Sequence, residues 1–342
     1  MPAALRTAGN GRGLMKKKVI AGLALSALLV WLSIRGIEFR GVIDGFRTIR
    51  FGYVLPAVAA MFLMQLLRSI RWGLILRPIG KVDQLSLFSV SSVGFLAIIA
   101  IPARLGELAR PYLIAKKSRI PMSSALGTIF VERVLDSLTV LIIAVLALFF
   151  TPLPPWLVRS SVLFLLVTLG LFAVMIRVIV RREATLRILA PLIGRLPARY
   201  ASAVNRLIDH FIEGFRIVVD PALLFSATLL SIVIWLVDVV AIYLLFLAFG
   251  LDLPVAAAFV LMIILIIGIA IPAAPGFIGN WHYFCILGLG LFGIPKTDAL
   301  TFAIIYHALS IGIVILLGLI FLPFNRFSIS DLRRQKVLRT EC

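Results

Sequence analysis

The sequence predicts an all-α polytopic membrane protein, because it is strongly apolar and its apolar residues recur in long runs. Of its 342 residues, 62% are hydrophobic and only 14% are charged, a composition more apolar than that of soluble domains. A helix needs about 20 apolar residues to cross a bilayer core of roughly 30 Å. Counting such runs gives eight hydrophobic elements, near residues 18–34, 52–77, 85–101, 124–150, 159–180, 222–249, 256–292 and 299–322.

The basic residues predict how these elements are oriented. Lys and Arg number 34 against 15 Asp and Glu, a formal net charge of +19. We assign this excess to the cytoplasmic flanks of membrane helices and expect no nucleic-acid partner, because no nucleic-acid-binding motif accompanies it. We expect a multi-pass protein of the cytoplasmic (inner) membrane with both termini in the cytoplasm. The loop 35–50, with four Arg residues, is the exception to the charge rule.

Two of the basic segments conflict with eight complete spans. Residues 77–84 and 116–119 are both basic and therefore both predicted to be cytoplasmic, yet one crossing helix between them would separate them. We expect a re-entrant helical hairpin near 85–115 that breaks at Pro102 and Gly106. By the same count a second re-entrant hairpin lies near 256–292 and breaks at "PAAPG". The other six elements are predicted to be full spans.

The two hairpins carry an internal repeat. "IAIPARLG" at 99–106 and "IAIPAAPG" at 269–276 agree at six of eight positions, with an offset of 170. The topology gives the two halves opposite orientations, and inverted repeats with paired broken helices are typical of secondary transporters. The predicted organisation is a cytoplasmic N-terminus (1–17), a first membrane half (18–180), a cytoplasmic amphipathic linker (181–220), a second membrane half (221–322) and a basic cytoplasmic tail (323–342).

Charged side chains at the first break are the leading candidates for a binding site. A charge at the bilayer centre costs roughly 2.5 to 3.5 kcal/mol on translocon scales, so a compensating environment is expected. Arg104, Glu107 and Arg110 are three residues apart and share one broad face of a short helix. We expect them to line a cavity that opens from the cytoplasm. The alternative is a shallow hairpin whose charges snorkel to water.

Further charges lie inside predicted spans. Glu132, Arg133 and Asp136 are about 12 to 18 Å inside a helix that starts near residue 124. The two carboxylates are at i, i+4, where like charges repel, so a cationic partner is expected. The candidates are Arg68, Arg71 and Arg104. A structural ion-pair network that joins helices is the alternative, as is snorkelling for Arg71.

The second half contributes Asp238 and the second break. Asp238 is deep in an apolar helix, where an ionisable group is a functional candidate by default; a neutral or paired carboxyl is the alternative. Pro and Gly break the hairpin because Pro lacks a donor N–H and Gly tolerates unusual dihedrals. The predicted substrate-binding set is completed by Pro272, Pro275, Gly276, Gly279, Asn280 and His282.

The sequence offers no catalytic or metal-binding pattern. There is no G-x-x-x-x-G-K-[ST] loop, no G-x-S-x-G elbow and no H-E-x-x-H motif. His282 and His307 lack ligands nearby in the sequence, and we expect each to be packed and hydrogen-bonded rather than metal-bound. We therefore expect no cofactor, no metal and no enzymatic activity.

The ordered motifs "RSIRW", "IPARLGELARPYLI", "ERVLDS", "PAAPGFIGNWHYF" and "GIPKTDALTFAIIYH" resemble the flippase-like membrane domain named after the lysylphosphatidylglycerol synthase transmembrane region, over about residues 15–325. The resemblance implies a membrane protein that moves polar lipids between leaflets, here as a stand-alone member without the synthase domain. Members of that family often carry Glu at the position of His282 and Arg at the position of His307, so no role is carried over to these two residues. The matching charges are Arg68, Arg71, Arg104, Glu107, Arg110, Glu132, Arg133 and Asp136.

We therefore expect a flippase or transporter for a lipid with a polar, anionic head group: a phospholipid, a glycolipid or an isoprenoid-linked lipid. Guanidinium groups bind phosphate oxygens bidentately, and Arg104 and Arg110 are the expected contacts. The expected partners are membrane lipids and enzymes of lipid biosynthesis. The alternatives are an accessory subunit of a lipid or envelope biosynthesis pathway and a membrane-embedded transferase with Glu107, Glu132 or Asp136 as base.

Overall fold

The structure is a computed structural model that describes residues 20–101, 106–148, 155–181, 183, 187, 190–191, 193–194, 197–271 and 274–325. Within these ranges the regular secondary structure is helical and no β-strand occurs, which confirms the predicted all-α class. The predicted N-terminal segment 1–17, the tail from 326 onwards, and the predicted site residues Arg104 and Pro272 lie outside the described residues.

Twelve α-helices cover most of the described chain. In chain order they are α1 (Ile20–Ile34), α2 (Phe39–Arg47), α3 (Phe51–Leu76), α4 (Gln84–Ala100), α5 (Ala109–Lys117), α6 (Met122–Leu148), α7 (Pro155–Val180), α8 (Ala198–Glu213), α9 (Pro221–Ala248), α10 (Val255–Ala270), α11 (Asn280–Gly290) and α12 (Lys296–Phe321). Short 3₁₀ turns occupy Arg216–Val219, Pro275–Phe277 and Pro323–Asn325.

Four helices are long and apolar enough to cross a membrane. They are Phe51–Leu76, Val158–Ile179, Pro221–Ala248 and Lys296–Phe321, and they coincide with four of the six predicted spans. Shorter apolar helices are α1, α4 and α10. At 27 residues, α6 is about 40 Å long at 1.5 Å per residue, but it carries three charged side chains within its first 15 residues.

The helix boundaries preserve the 170-residue offset between the two halves. Adding 170 to the first residues of α3, α4 and α5 gives 221, 254 and 279, and α9, α10 and α11 begin at 221, 255 and 280. The order of long helix, short helix, break and shorter helix thus occurs twice. Inversion of the second set relative to the membrane stays a prediction.

The chain forms two compact units. The first contains residues 1–62, 95–107 and 238–316, and the second contains residues 63–94, 108–237 and 317–342.

In the first unit, α10 and α11 form a helical hairpin. A Cβ on Gly268 would meet the ring of Phe284, and a Cβ on Gly288 would meet the Cδ1 of Leu261. The earlier residue of α10 therefore faces the later residue of α11, so the two helices are antiparallel. Both are shorter than a bilayer core at 16 and 11 residues, or about 24 and 16 Å.

The first unit also contains an element that the sequence did not predict. Residues 39–47 form helix α2 inside what was expected to be the basic loop 35–50. A Cβ at Gly41 or Gly45 would lie 3.0 or 3.1 Å from the γ-methyl of Thr297 or Thr301 of α12. The two glycines are one turn apart, so their missing side chains allow α2 to pack closely on α12.

The second unit has two apolar cores around the charged residues described below. One joins α3, α4 and α5 through Trp72, Leu76, Leu87, Val90, Val93, Tyr112, Leu113 and Ile114. The other joins α3, α6, α7, α9 and the 3₁₀ segment before α9, through Ile75, Val131, Val134, Leu135, Met175, Phe215, Ile217 and Ala227. Helix α8, within the predicted linker 181–220, ends at a backbone-to-backbone contact between Gly214 and Gly127 of α6.

Candidate functional site

The second unit brings together four buried or mostly buried charges from three helices. Arg71 is on α3, Arg110 on α5, and Glu132 and Asp136 are one turn apart on α6. The side chains of Arg71, Arg110 and Glu132 are 0%, 2% and 1% exposed, and that of Asp136 is 14% exposed. We call these four residues the ion cluster.

Arg71 is the cationic partner that the two α6 carboxylates require. Its two terminal nitrogens donate to the two carboxylate oxygens of Asp136, and the distance from Nη2 to Oδ2 is 3.1 Å. Nη1 also donates to the hydroxyl of Ser231 at 2.8 Å, and Nη2 lies 3.7 Å from Oε1 of Glu132. The side chain is fully buried and therefore does not snorkel, so the expected cationic partner is confirmed.

Arg110 is held in place by Glu132. Its Nη1 and Nη2 donate to the two carboxylate oxygens at 2.9 and 3.0 Å, the bidentate geometry that gives the strongest charge-assisted hydrogen bonds. The guanidinium also lies over the ring of Trp72, 4.3 Å from its centroid. Its aliphatic stem crosses Gly94, where an added Cβ would overlap the Cγ of Arg110. Gly94 is therefore required for this position of the arginine.

The fifth charge, Arg133, lies at the exposed edge of the ion cluster. Its side chain is 48% exposed, and its terminal nitrogens are 3.5 Å from Glu132 and 3.9 Å from Asp136. Both distances exceed those within the bidentate pairs Arg71–Asp136 and Arg110–Glu132. Of the three arginines around these two carboxylates, Arg133 has the most exposed side chain and makes no bidentate pair.

An indole completes this edge. Trp235 Nε1 donates to Oδ1 of Asp136 at 3.2 Å, and the guanidinium of Arg68 lies over the Trp235 ring, 5.7 Å from its centroid. A cation over an aromatic face is attracted by the ring quadrupole. Arg68 is thus linked to Asp136 of the ion cluster through the side chain of Trp235.

The second break lies in the first unit and has an unusual backbone. Gly276 and Gly279 have φ values of 70° and 90°, and the non-glycine residue Phe277 has a φ of 58°. A Cβ at Gly279 would overlap the carbonyl oxygen of Ser26 on α1, and the Ser26 hydroxyl accepts the backbone N–H of Ala274 at 2.7 Å. The segment is therefore a fixed turn, and only glycine fits at position 279.

Polar side chains satisfy the backbone at this break. Asn280, which is fully buried, donates its amide to the carbonyls of Gly268 at 2.9 Å and Ile271 at 3.0 Å, the carbonyls left open where α10 ends. His307 of α12 makes a 2.8 Å hydrogen bond to the carbonyl of Gly276, which confirms the expectation that this histidine is hydrogen-bonded.

The comparison with known families now decides where the chain belongs. Residues 19–318 match the family described as the lysylphosphatidylglycerol synthase TM region. The chain belongs to that family. Together with the four candidate spans, this makes it a multi-pass integral membrane protein, as the sequence motifs led us to expect.

Relatives of this lysylphosphatidylglycerol synthase TM-region protein are found among archaeal membrane proteins. It is similar to a UPF0104 membrane protein of Methanothermobacter thermautotrophicus, with 26% identity over 92% of this chain and 96% of the relative. It is also similar to Glycosyltransferase AglD of Haloferax volcanii, with 25% identity over 88% of this chain and 53% of that protein. No solved structure matches the chain.

The structure divides the predicted site of this family member between the two units. The second unit holds Arg68, Arg71, Arg110, Glu132, Arg133 and Asp136, which form the ion cluster and its edge. The first unit holds Glu107, Asp238, Pro275, Gly276, Gly279, Asn280 and His282. Glu107 and Asp238 are both half-buried, and the roles predicted for all of these residues in substrate binding stay predictions.

Sequence reasoning missed the uncharged members of the site. Ser231 and Trp235 of α9 bind the ion cluster, and Trp72, whose Nε1 donates to Thr128 at 3.1 Å, supports Arg110. A signal for the α9 pair was present, because a Ser and a Trp four residues apart share one helix face. Trp72 ends the "RSIRW" motif, but nothing in that motif indicates that its ring packs under Arg110.

Proposed function

We propose that this protein moves lipids with an anionic head group between the leaflets of a membrane. The observation that carries the proposal is the position of Arg133. It lies 11 residues beyond Met122, the first residue of α6, or about 16 Å along a 40 Å helix at 1.5 Å per residue. Its side chain is nevertheless 48% exposed.

An exposed guanidinium at that depth requires a polar environment. Charged residues within membrane helices face the interior of the helix bundle or a water-filled cavity, because hydrocarbon solvates charge poorly. We infer that Arg133 faces a hydrated groove into which a lipid head group enters. The acyl or prenyl chains need not leave the hydrocarbon.

The ion cluster explains why the groove favours an anion. The buried arginines Arg71 and Arg110 are held by Asp136 and Glu132, so their charges are fixed and largely neutralised. The accessible positive charge is that of Arg133, whose side chain is half exposed, with Arg68 nearby through Trp235. A phosphate oxygen can replace the two long contacts of Arg133 to the carboxylates without breaking either buried bidentate pair. Guanidinium and phosphate have matching bidentate geometry.

The family and the repeat support a transporter rather than an enzyme. The family name refers to a transmembrane region, and the 170-residue offset between α3–α5 and α9–α11 is the arrangement that, if inverted, places broken helices on two sides of a central site. The name Glycosyltransferase AglD belongs to a relative of which this chain covers about half. In the proposal α4–α5 and α10–α11 are the two re-entrant hairpins.

The test uses Arg133 and a matched exposed arginine. The purified protein is placed in liposomes that contain fluorescent phosphatidylglycerol or phosphatidylcholine, and translocation is measured by chemical quenching of the outer leaflet. We expect Arg133→Ala to slow phosphatidylglycerol at least about tenfold, the effect of losing 1.4 kcal/mol of binding in the transition state. Arg133→Lys should recover only part of the rate, because Lys lacks the planar fork.

Arg159→Ala is the control, since Arg159 is an exposed residue of α7 with no part in the site. It should move both lipids at the rate of the unchanged protein. If Arg133→Ala transports phosphatidylglycerol normally, or if the unchanged protein accelerates neither lipid over empty liposomes, the proposal is wrong.

A further inference from the structure

Two of the three histidines in the chain are in contact in the first unit. His282 of α11 and His307 of α12 have ring centroids 4.8 Å apart and ring planes at 83°. His307 is 8% exposed. Both lie in apolar helices, where ionisable groups are rare and mark ion or proton pathways. We call them the histidine pair.

The histidine pair is bonded to the strained turn at the second break. A carbonyl oxygen only accepts hydrogen bonds, so His307 Nε2 carries a hydrogen and donates it to Gly276 at 2.8 Å. Gly276 has a φ of 70°, and the following Phe277 has a φ of 58°, a conformation that is rare for a bulky side chain and costs free energy. A change at His307 therefore acts directly on the strained backbone.

The surroundings of the histidine pair are aromatic. The Trp281 ring lies 5.2 Å from His307 at an interplanar angle of 30°, and Tyr306 contacts the same indole at 5.0 Å. On α11 the neighbouring titratable side chains are Tyr283 and Cys285, and on α1 the hydroxyl of Ser26 binds the turn through the N–H of Ala274. In the part of the chain that the structure describes, no carboxylate, Lys or Arg forms an ion pair with either histidine.

We propose that the histidine pair binds one proton and couples its movement to lipid transport, an inference that rests on the function proposed above. Imidazole changes its charge near neutral pH. Two imidazolium rings in contact repel each other, so the pair holds at most one proton. Hydrogen bonds from a charged donor are roughly twice as strong as those from a neutral one. A proton on His307 therefore stabilises the present turn, and its transfer to His282 or to water weakens the bond that keeps Gly276 and Phe277 strained.

The proton site is tested without any lipid by the fluorescence of Trp281. A protonated imidazole stacked on an indole quenches its emission, so the purified protein in detergent should show an emission change as the pH is lowered from neutral. Trp281→Phe and His307→Gln should lose the change, and His282→Gln should shift its midpoint. Gln at 307 retains a side-chain N–H for the Gly276 carbonyl, which preserves the fold; gel filtration checks this. An identical titration in both Gln variants, or no titration in the unchanged protein, overturns the proposal.

The coupling is tested with liposomes that carry an imposed pH difference. We expect the gradient to change the rate of phosphatidylglycerol translocation about fivefold, the lower range of coupling between sites, in the unchanged protein and in His210→Gln. His210, on α8 in the second unit, is the matched control. In His282→Gln and His307→Gln the ratio of the translocation rates measured with and without the gradient should fall to one.

The outcomes separate the two proposals. A protein that translocates lipid but ignores the gradient overturns the coupling and leaves lipid transport standing. A protein whose Trp281 emission titrates through the histidine pair but that moves no lipid overturns the proposed function and retains the proton site.

Discussion

Neutralising Glu132 should destabilise the protein more than removing Arg110, although the two form one bidentate pair. Glu132 is within 4 Å of three guanidinium groups, those of Arg71, Arg110 and Arg133. Glu132→Gln preserves the volume of the side chain but leaves two buried arginines to share one carboxylate. Removing one partner of a buried ion pair typically costs about 3 to 5 kcal/mol, and we expect Glu132→Gln to fall in that range.

Arg110→Met leaves Glu132 better compensated. Met fills a similar unbranched volume, and the carboxylate retains Arg71 at 3.7 Å and Arg133 at 3.5 Å. The expected cost is about 1 to 3 kcal/mol, close to that of an unpaired buried polar group. In the double variant the unpaired charge of Arg110 is gone, so its cost should be lower than the sum of the single costs by about 1 to 3 kcal/mol.

The measurement is the free energy of unfolding in mixed micelles, titrated with a denaturing detergent and followed by circular dichroism. All four proteins of the double-mutant cycle are compared under one set of conditions. Equal costs for the two single variants would refute the claim that Glu132 is shared. Additive costs within about 0.5 kcal/mol would refute the claim that the two residues interact.

Three further predictions follow from single positions. Gly94→Ala should lower the free energy of unfolding by about 1 to 3 kcal/mol, because the added methyl group overlaps the side chain of Arg110. Gly170→Ala, whose methyl group meets nothing within 4 Å, should be neutral or stabilising. Thermal unfolding in detergent compares the two variants. Asp83 accepts the N–H of the third residue of α4 at 2.8 Å, and this hydrogen bond lowers the pKa of its carboxyl. The stabilisation is therefore present above the unfolded-state pKa and is lost as the pH falls through the folded-state pKa. Asp83→Ala should cost about 1 kcal/mol of unfolding free energy at pH 7 and nothing once the carboxyl is protonated. Cysteines introduced at the exposed positions Lys81 and Lys117 should be labelled from the same side of the membrane. Labelling from opposite sides would contradict the prediction that residues 85–115 form a re-entrant hairpin.

The sequence predicted what depends on local apolar patterns. The runs that became α3, α9 and α12 are long and strongly apolar despite a few charged residues, so hydrophobicity alone located them. Helix α2 was not predicted because Gly41 and Gly45 hold it against threonines of α12. These threonines lie about 256 residues further along the chain. The four arginines of segment 35–50 led to its interpretation as a loop, although Val42, Ile43 and Phe46 recur at helical spacing and Val42 is buried.

The ion cluster was predictable in kind but not in pairing. The repulsion between Glu132 and Asp136 required a cation, and Arg71 was among the three candidates. Arg110 was expected beside Arg104 and Glu107 on the face of a short helix, whereas the structure turns it onto Glu132 and Trp72. That orientation depends on the missing side chain of Gly94, which periodicity does not reveal. The contact between His282 and His307 likewise depends on how α11 packs on α12.

The ion cluster separates stability from transport in a way that single substitutions can detect. Arg71 and Arg110 are buried and bidentate, so their loss acts first on folding. Arg133 is half exposed and its two ionic contacts are long; such contacts contribute at most about 1 kcal/mol. Arg133→Ala should therefore leave the unfolding free energy almost unchanged while it slows the anionic lipid. If its transport loss instead followed a loss of stability as large as that of Glu132→Gln, Arg133 would be a fifth structural member of the ion cluster and not the residue that meets the head group.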